Sequence, residues 1–182
     1  MRCFISIELA PSIKNSINDF VQENHLKEYF SGVRWVKPHN LHITLAFLGE
    51  ISVDEVSSVK KMLDNISLKQ MSFPIELSGV GSFPGFKNPK VLWIGIKEQP
   101  KLVTLKKHID KGLDAFNISY DKKPFSPHLT IGRIKTPIKL KPQIAETLDF
   151  VASFSVTEIH LMKSDLLPEG PVYTELYNVK LC

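Results

Sequence analysis

The sequence predicts an α+β fold of two antiparallel sheets, each backed by helices. Three observations carry this. The tetrapeptide His42-Ile43-Thr44-Leu45 returns 86 residues later as His128-Leu129-Thr130-Ile131 in a chain of 182 residues. Strand and helix signals recur in similar order in the two halves of the chain. Many strand segments are short and polar on one face, as expected of antiparallel sheets covered on one side.

Met1 to Leu9 alternates as a strand, and Pro11-Ser12 opens a helix expected to run to about Tyr29. Gly32 to Trp35 reads as a short strand, followed by the first motif strand from Leu41 to Leu48, which Gly49 stops. Ser52 with Glu55 three places on is a capping box. It starts a helix to about Asn65 with Val56, Val59, Met62 and Leu63 on one face. Phe73 to Val80 is the next strand. The glycines and prolines between Gly79 and Pro89 read as a loop and as the crossing between lobes.

A strand at Val91 to Lys97 follows, then a helix from Pro100 to about Phe116 with Leu102, Leu105, Ile109, Leu113 and Phe116 at helical spacing. Asp121 to Pro127 is a loop feeding the second motif strand, which Thr136-Pro137 ends. A short helix is expected near Pro142 to Leu148, one long strand from Phe150 to Lys163, and a closing strand from Tyr173 to Leu181.

The chain is long enough for one domain, or two small packed lobes, with a proper core. A content of 43% apolar and 23% charged residues excludes disorder and low complexity. The net charge of +4 favours an anionic partner such as nucleic acid. The opening Met1 to Glu8 alternates and has no sustained apolar run, so neither a signal peptide nor a membrane span is expected, and the cytoplasm is the default location. Cys3 and Cys182 specify no disulfide, and no spacing of His, Cys, Asp or Glu suggests a metal; no cofactor is expected.

In an extended strand His42 and Thr44 share one face, while Leu41, Ile43, Leu45 and Phe47 share the other. A given histidine has about a 4% chance of a threonine two places on, so two such hits among six histidines are improbable. Packed around a pseudo-two-fold axis, the two halves would bring two imidazoles and two hydroxyls into one groove. That set suits acid-base chemistry on a small anion, and phosphate is the natural candidate.

The motifs and their surroundings resemble the two-histidine (2H) phosphoesterases, and within them the RNA 2′,3′-cyclic phosphodiesterases also called 2′-5′ RNA ligases. The resemblance rests on Arg2 to Ile7, on Leu41 to Glu50, on Pro127 to Arg133 and on the tail Lys163 to Tyr173. It implies a single domain of two intimately packed lobes, with strands exchanged between them and two antiparallel sheets facing across a cleft, helices outside. It also implies hydrolysis of an RNA 2′,3′-cyclic phosphate to a 2′-phosphate without a metal, by a monomer. By the same resemblance His42 is the proton donor and His128 the acceptor, while Arg133, five places after His128, contacts phosphate together with Thr44 and Thr130.

The residue types suit an acid, a base and phosphate ligands without the resemblance, but which histidine is donor and which acceptor comes from the resemblance alone. One imidazole can take a proton from water while the other protonates the departing ribose oxygen, and hydroxyls can donate to nonbridging oxygens. Arg133 is expected on the opposite face by strict alternation, unless a bulge permitted by Gly132 re-aims it. Trp35, Phe47, Phe83, Phe86 and Phe125 are candidates to stack on a base, with core packing the better expectation for Phe47. Lys87, Lys90, Lys122 and Lys123 are candidate RNA-steering cations. Ligation to a 2′-5′ linkage, or noncatalytic binding of RNA ends, are the alternative functions.

Overall fold

The computed structural model describes residues 1–135 and 148–182. The strands, in chain order, are β1 (Arg2–Glu8), β2 (Val33–Trp35), β3 (His42–Glu50), β4 (Phe73–Phe83), β5 (Val91–Ile96), β6 (His128–Ile134), β7 (Val151–Val156), β8 (Glu158–Leu167) and β9 (Gly170–Lys180). The helices are α1 (Pro11–Glu23), α2 (Leu26–Tyr29), α3 (Val53–Ser67) and α4 (Pro100–Ala115), and a 3-10 turn spans Pro38–Asn40.

The strands form one strongly curled antiparallel sheet in the order β7-β4-β5-β6-β3-β1-β8-β9, with β2 on β6. Its two halves join at a single register pair, Ile43 with Leu129. Outward from that seam run β3-β1-β8-β9 on one side and β6-β5-β4-β7 on the other, so the motif strands β3 and β6 are innermost and the halves are pseudo-two-fold related. β4, from the first part of the chain, lies beside β5 from the second, and β8 from the second lies beside β1 from the first. Ile43 and Leu129 are both 0% exposed. Each such buried side chain stabilises the seam by about 1.5–3 kcal/mol.

The capping box at Ser52 and Glu55 forms as expected: the Glu55 amide donates to Ser52 Oγ and the Ser52 amide to Glu55 Oε2. α3 buries Val56, Val59, Met62 and Leu63, and α4 buries Leu102, Leu105, Ile109 and Leu113. Phe116 differs: it caps α4 and is exposed.

Four expectations are corrected. The first helix breaks at Asn24, whose side-chain amide donates to the Phe20 carbonyl, and His25 adopts a left-handed conformation at φ 52°. β4 continues to Phe83 because Gly79, at φ +71°, absorbs a bulge opposite β5 and lets pairing resume. The loop after it therefore joins two paired neighbours; the chain crosses between halves instead after α3 and at Thr157, besides the excursion that places β2 on β6. The strand expected from Phe150 to Lys163 is two: β7 pairs with β4, and β8 pairs with β1 and β9. Residues 142–147 of the helix expected near Pro142 to Leu148, and the stop at Thr136-Pro137, lie outside the described residues.

Candidate active site between the motif strands

Each motif histidine is the first residue of its strand, and each is oriented by the same local device. His42 Nδ1 donates to the Asn40 carbonyl at 2.8 Å, and His128 Nδ1 donates to the Ser126 carbonyl at 2.7 Å. A carbonyl only accepts, so Nδ1 carries hydrogen in both rings and Nε2 is left to exchange a proton. His42 Nε2 lies 3.1 Å from Thr44 Oγ1. The Asn40 side-chain amide in turn donates to the Pro171 carbonyl, tying the His42 support to the β8–β9 hairpin.

The packing around the two rings differs. His42 stacks on Phe4 at a centroid separation of 4.8 Å and meets the edge of Tyr173 at 5.2 Å. His128 meets Phe83 edge-on at 5.0 Å. Burial is the main influence on His42 and pushes its pKa below the ordinary imidazole value; the Asn40 carbonyl and Glu8 oppose that, while Lys14 and Arg133 reinforce it. Burial likewise pushes the Tyr173 phenol up.

Both motif strands carry a bulge at the fourth motif residue. Opposite β1, the register runs from Thr44–Ser6 to Ala46–Ile5 and leaves Leu45 unopposed. Opposite β5, it runs from Thr130–Trp93 to Gly132–Leu92 and leaves Ile131 unopposed. Each bulge reverses the alternation beyond it, so the residue five places after each histidine joins the His/Thr face. Arg133 is re-aimed in this way. Its counterpart in the first motif is Phe47, which corrects the expected core position: Phe47 is 46% exposed and lines the cleft. Ala46 occupies in the first bulge the place that Gly132 takes in the second, so glycine is not what makes the bulge possible. Gly132 serves close approach instead, since a Cβ there would lie 2.5 Å from Val33 Cγ1 of β2.

His42, Thr44, His128, Thr130 and Arg133 all line one cavity of ≈ 630 Å³. Its remaining walls include Phe47, Phe83 and Tyr173, then Arg34, Trp35 and Lys37, and the turn Pro168 to Pro171. Trp35, Phe47 and Phe83 are thus brought to the site. Phe86 and Phe125 pack against the core. Lys122 and Lys123 pair with Asp114 and Asp121, and Lys87 and Lys90 do not line the cavity. Sequence reasoning missed Phe4, Tyr173 and Arg34, which only strand pairing brings here. It also missed the Asn40 and Ser126 carbonyls, whose signal was their common place two residues before each histidine. Among the described residues no group of three or more His, Cys, Asp or Glu side chains could hold a metal, and no helix is long and apolar enough to cross a membrane.

The whole chain has relatives among known proteins. The family model of the 2′-5′ RNA ligase superfamily matches residues 10–166. The chain is 34% identical to an Archaeoglobus fulgidus protein named RNA 2′,3′-cyclic phosphodiesterase, over 97% of this chain and 98% of that one. An Aquifex aeolicus protein of the same name is 36% identical over 96% and 94%. Among solved structures, a Thermus thermophilus protein superimposes with a TM-score of 0.84 at 28% identity, covering 100% of this chain and 98% of that one. Escherichia coli LigT complexed with 3′-AMP gives 0.81 at 26% identity, over 99% and 97%. With the repeated motifs on paired strands and these matches along nearly its whole length, the chain belongs to the 2′-5′ RNA ligase superfamily, the 2H phosphoesterases.

Proposed function

We propose that this protein hydrolyses RNA 2′,3′-cyclic phosphate ends to 2′-phosphates by two-histidine acid-base catalysis that needs no metal. The observation carrying this reading is the matched orientation of His42 and His128, each fixed through Nδ1 so that Nε2 is available in a shared cavity. Relatives similar over nearly the whole chain are named for this activity. Water attacks phosphorus as His128 Nε2 takes its proton; the bond from phosphorus to O3′ breaks as His42 Nε2 gives a proton to O3′. A 2′-phosphate and a 3′-hydroxyl remain, and exchange with solvent resets both rings. Thr44, Thr130 and Arg133 would donate to the nonbridging oxygens, where charge grows in the transition state. The same reading takes the chain as one two-lobed domain working as a monomer, because both motifs and the cavity come from one chain.

The superfamily's description favours one second reading. A 5′-hydroxyl in the place of water would join the ends through a 2′-5′ linkage, with the same bond to O3′ breaking. The test is turnover of a short RNA ending in a 2′,3′-cyclic phosphate, with EDTA present, by wild type, His42→Ala and His128→Ala, separating 2′- from 3′-phosphate products. Each substitution should cost about 10²–10⁴ in kcat with a far smaller change in affinity. Loss of affinity with no wild-type turnover would make the protein a binder of RNA ends, and 3′-phosphate products would reverse the assigned leaving group.

A further inference from the structure

Arg34 lies in β2, a three-residue strand whose register sets it directly opposite Arg133 of β6. Residues opposite each other in an antiparallel pair share a face with Cβ atoms about 4.5–5.5 Å apart, where like charges are destabilising. Among the described residues neither guanidinium forms an ion pair, yet both line the cavity, with Lys37 beside them. The carboxylate lining the cavity is Glu169, on the far hairpin turn. An anion between the two arginines would turn their repulsion into attraction. The phosphate held at the histidines accounts for Arg133 and leaves Arg34 without a partner.

Resting on the function proposed above, we infer that Arg34, flanked by Lys37, binds a phosphate esterified to O5′ of the terminal nucleoside. Chain polarity supplies this group: with the cyclic phosphate on O2′ and O3′, the next anion along an RNA is the phosphodiester on O5′. A terminal 5′-phosphate has the same chemistry. The site would thereby favour the end of an oligonucleotide over a lone nucleoside cyclic phosphate.

The test compares affinities for adenosine 2′-phosphate, adenosine 2′,5′-bisphosphate and the dinucleotide ApA 2′-phosphate in wild type, Arg34→Gln and Arg34→Lys. Wild type should bind at least one of the two ligands bearing a 5′-phosphate group about tenfold tighter than adenosine 2′-phosphate, the gain of one charge-assisted contact. Arg34→Gln should remove that gain, bringing the affinities for the ligands with and without a 5′-phosphate close together, while Arg34→Lys keeps most of it. The salt slope of dinucleotide binding should fall by about 0.7 in Arg34→Gln, as for one phosphate contact on a single strand. A gain for the dinucleotide alone identifies the phosphodiester as the ligand; a gain for the bisphosphate alone identifies the 5′-monophosphate. Equal weakening of all three ligands in Arg34→Gln, or a gain that survives it, overturns the inference. If adenosine 2′-phosphate binds and cyclic-ended RNA is turned over without any gain from a 5′-phosphate, this inference alone fails; if neither occurs, the proposed function fails with it.

Discussion

Gly132→Ala tests how the second motif builds one wall of the cleft. The added Cβ would stand 2.5 Å from Val33 Cγ1, with the Arg34 carbonyl and Leu92 Cβ at 3.8 Å. Carbon contacts settle at about 3.5–4.0 Å, so β2 must retreat by roughly 1 Å. Val33 is branched at Cβ and has little rotamer freedom with which to yield. Overpacking of this kind costs about 1–3 kcal/mol, offset by about 0.4–1 kcal/mol from the less flexible unfolded chain. A net loss of about 1–2 kcal/mol follows, read as a lower urea midpoint with unchanged slope. Because β2 carries Arg34 and Trp35 to the cavity, affinity for an RNA end should fall as well. Val33→Ala removes the clashing atom, so the double variant should be more stable than the sum of the single changes predicts, by about 1 kcal/mol. Strict additivity, or a Gly132→Ala protein as stable as wild type, would refute the reasoning.

Two further outcomes concern the proposed proton transfers. As donor, His42 must be protonated, so it sets the falling, alkaline limb of the pH profile of kcat/KM, which burial draws below the ordinary imidazole value of about 6.5. Glu8 holds that pKa up and is itself fixed by Lys14 and Ser6; Glu8→Gln should therefore move the limb to still lower pH, and a limb that stays or rises contradicts the assignment. A p-nitrophenyl phosphodiester of a nucleoside leaves without needing an acid, so on that substrate His42→Ala should recover most of the roughly 10²–10⁴ lost on cyclic phosphate while His128→Ala should not. The reverse pattern would exchange the two roles.

What local sequence signals could specify, they specified well. The Ser52–Glu55 box and the faces of α3 and α4 depend on spacings within a single helix, and they form as read. Readings failed where a distant partner decides. Val151 to Leu167 alternates with little interruption, but β4 claims its first part and β1 its second, so the break at Thr157 has no local signal. Phe47 and Arg133 were assigned faces by counting in twos, and the unopposed Leu45 and Ile131 shift that count. The duplication itself held an unused clue, since a bulge re-aiming Arg133 should recur in the first motif and re-aim Phe47. Arg34 was illegible for the same reason, because nothing within β2 announces that Arg133 stands opposite.

Two motifs that share the same histidine and threonine cannot by themselves divide the labour between an acid and a base; their surroundings must. His42 is enclosed by Phe4 and Tyr173 and feels Arg133 and Lys14, influences that favour the neutral ring when the cavity is empty. On the proposed roles this looks contrary to a donor's needs. The phosphate resolves it: an anion beside Nε2 favours the charged imidazole directly and, held by Arg133, also cancels the cation that had opposed protonation. Proton uptake at His42 is then coupled to anion binding, so a ligand without negative charge would fill the cleft without arming its acid. The same burial that discourages the proton in the empty site lowers the local dielectric, and so strengthens the interaction between imidazolium and phosphate once both are present.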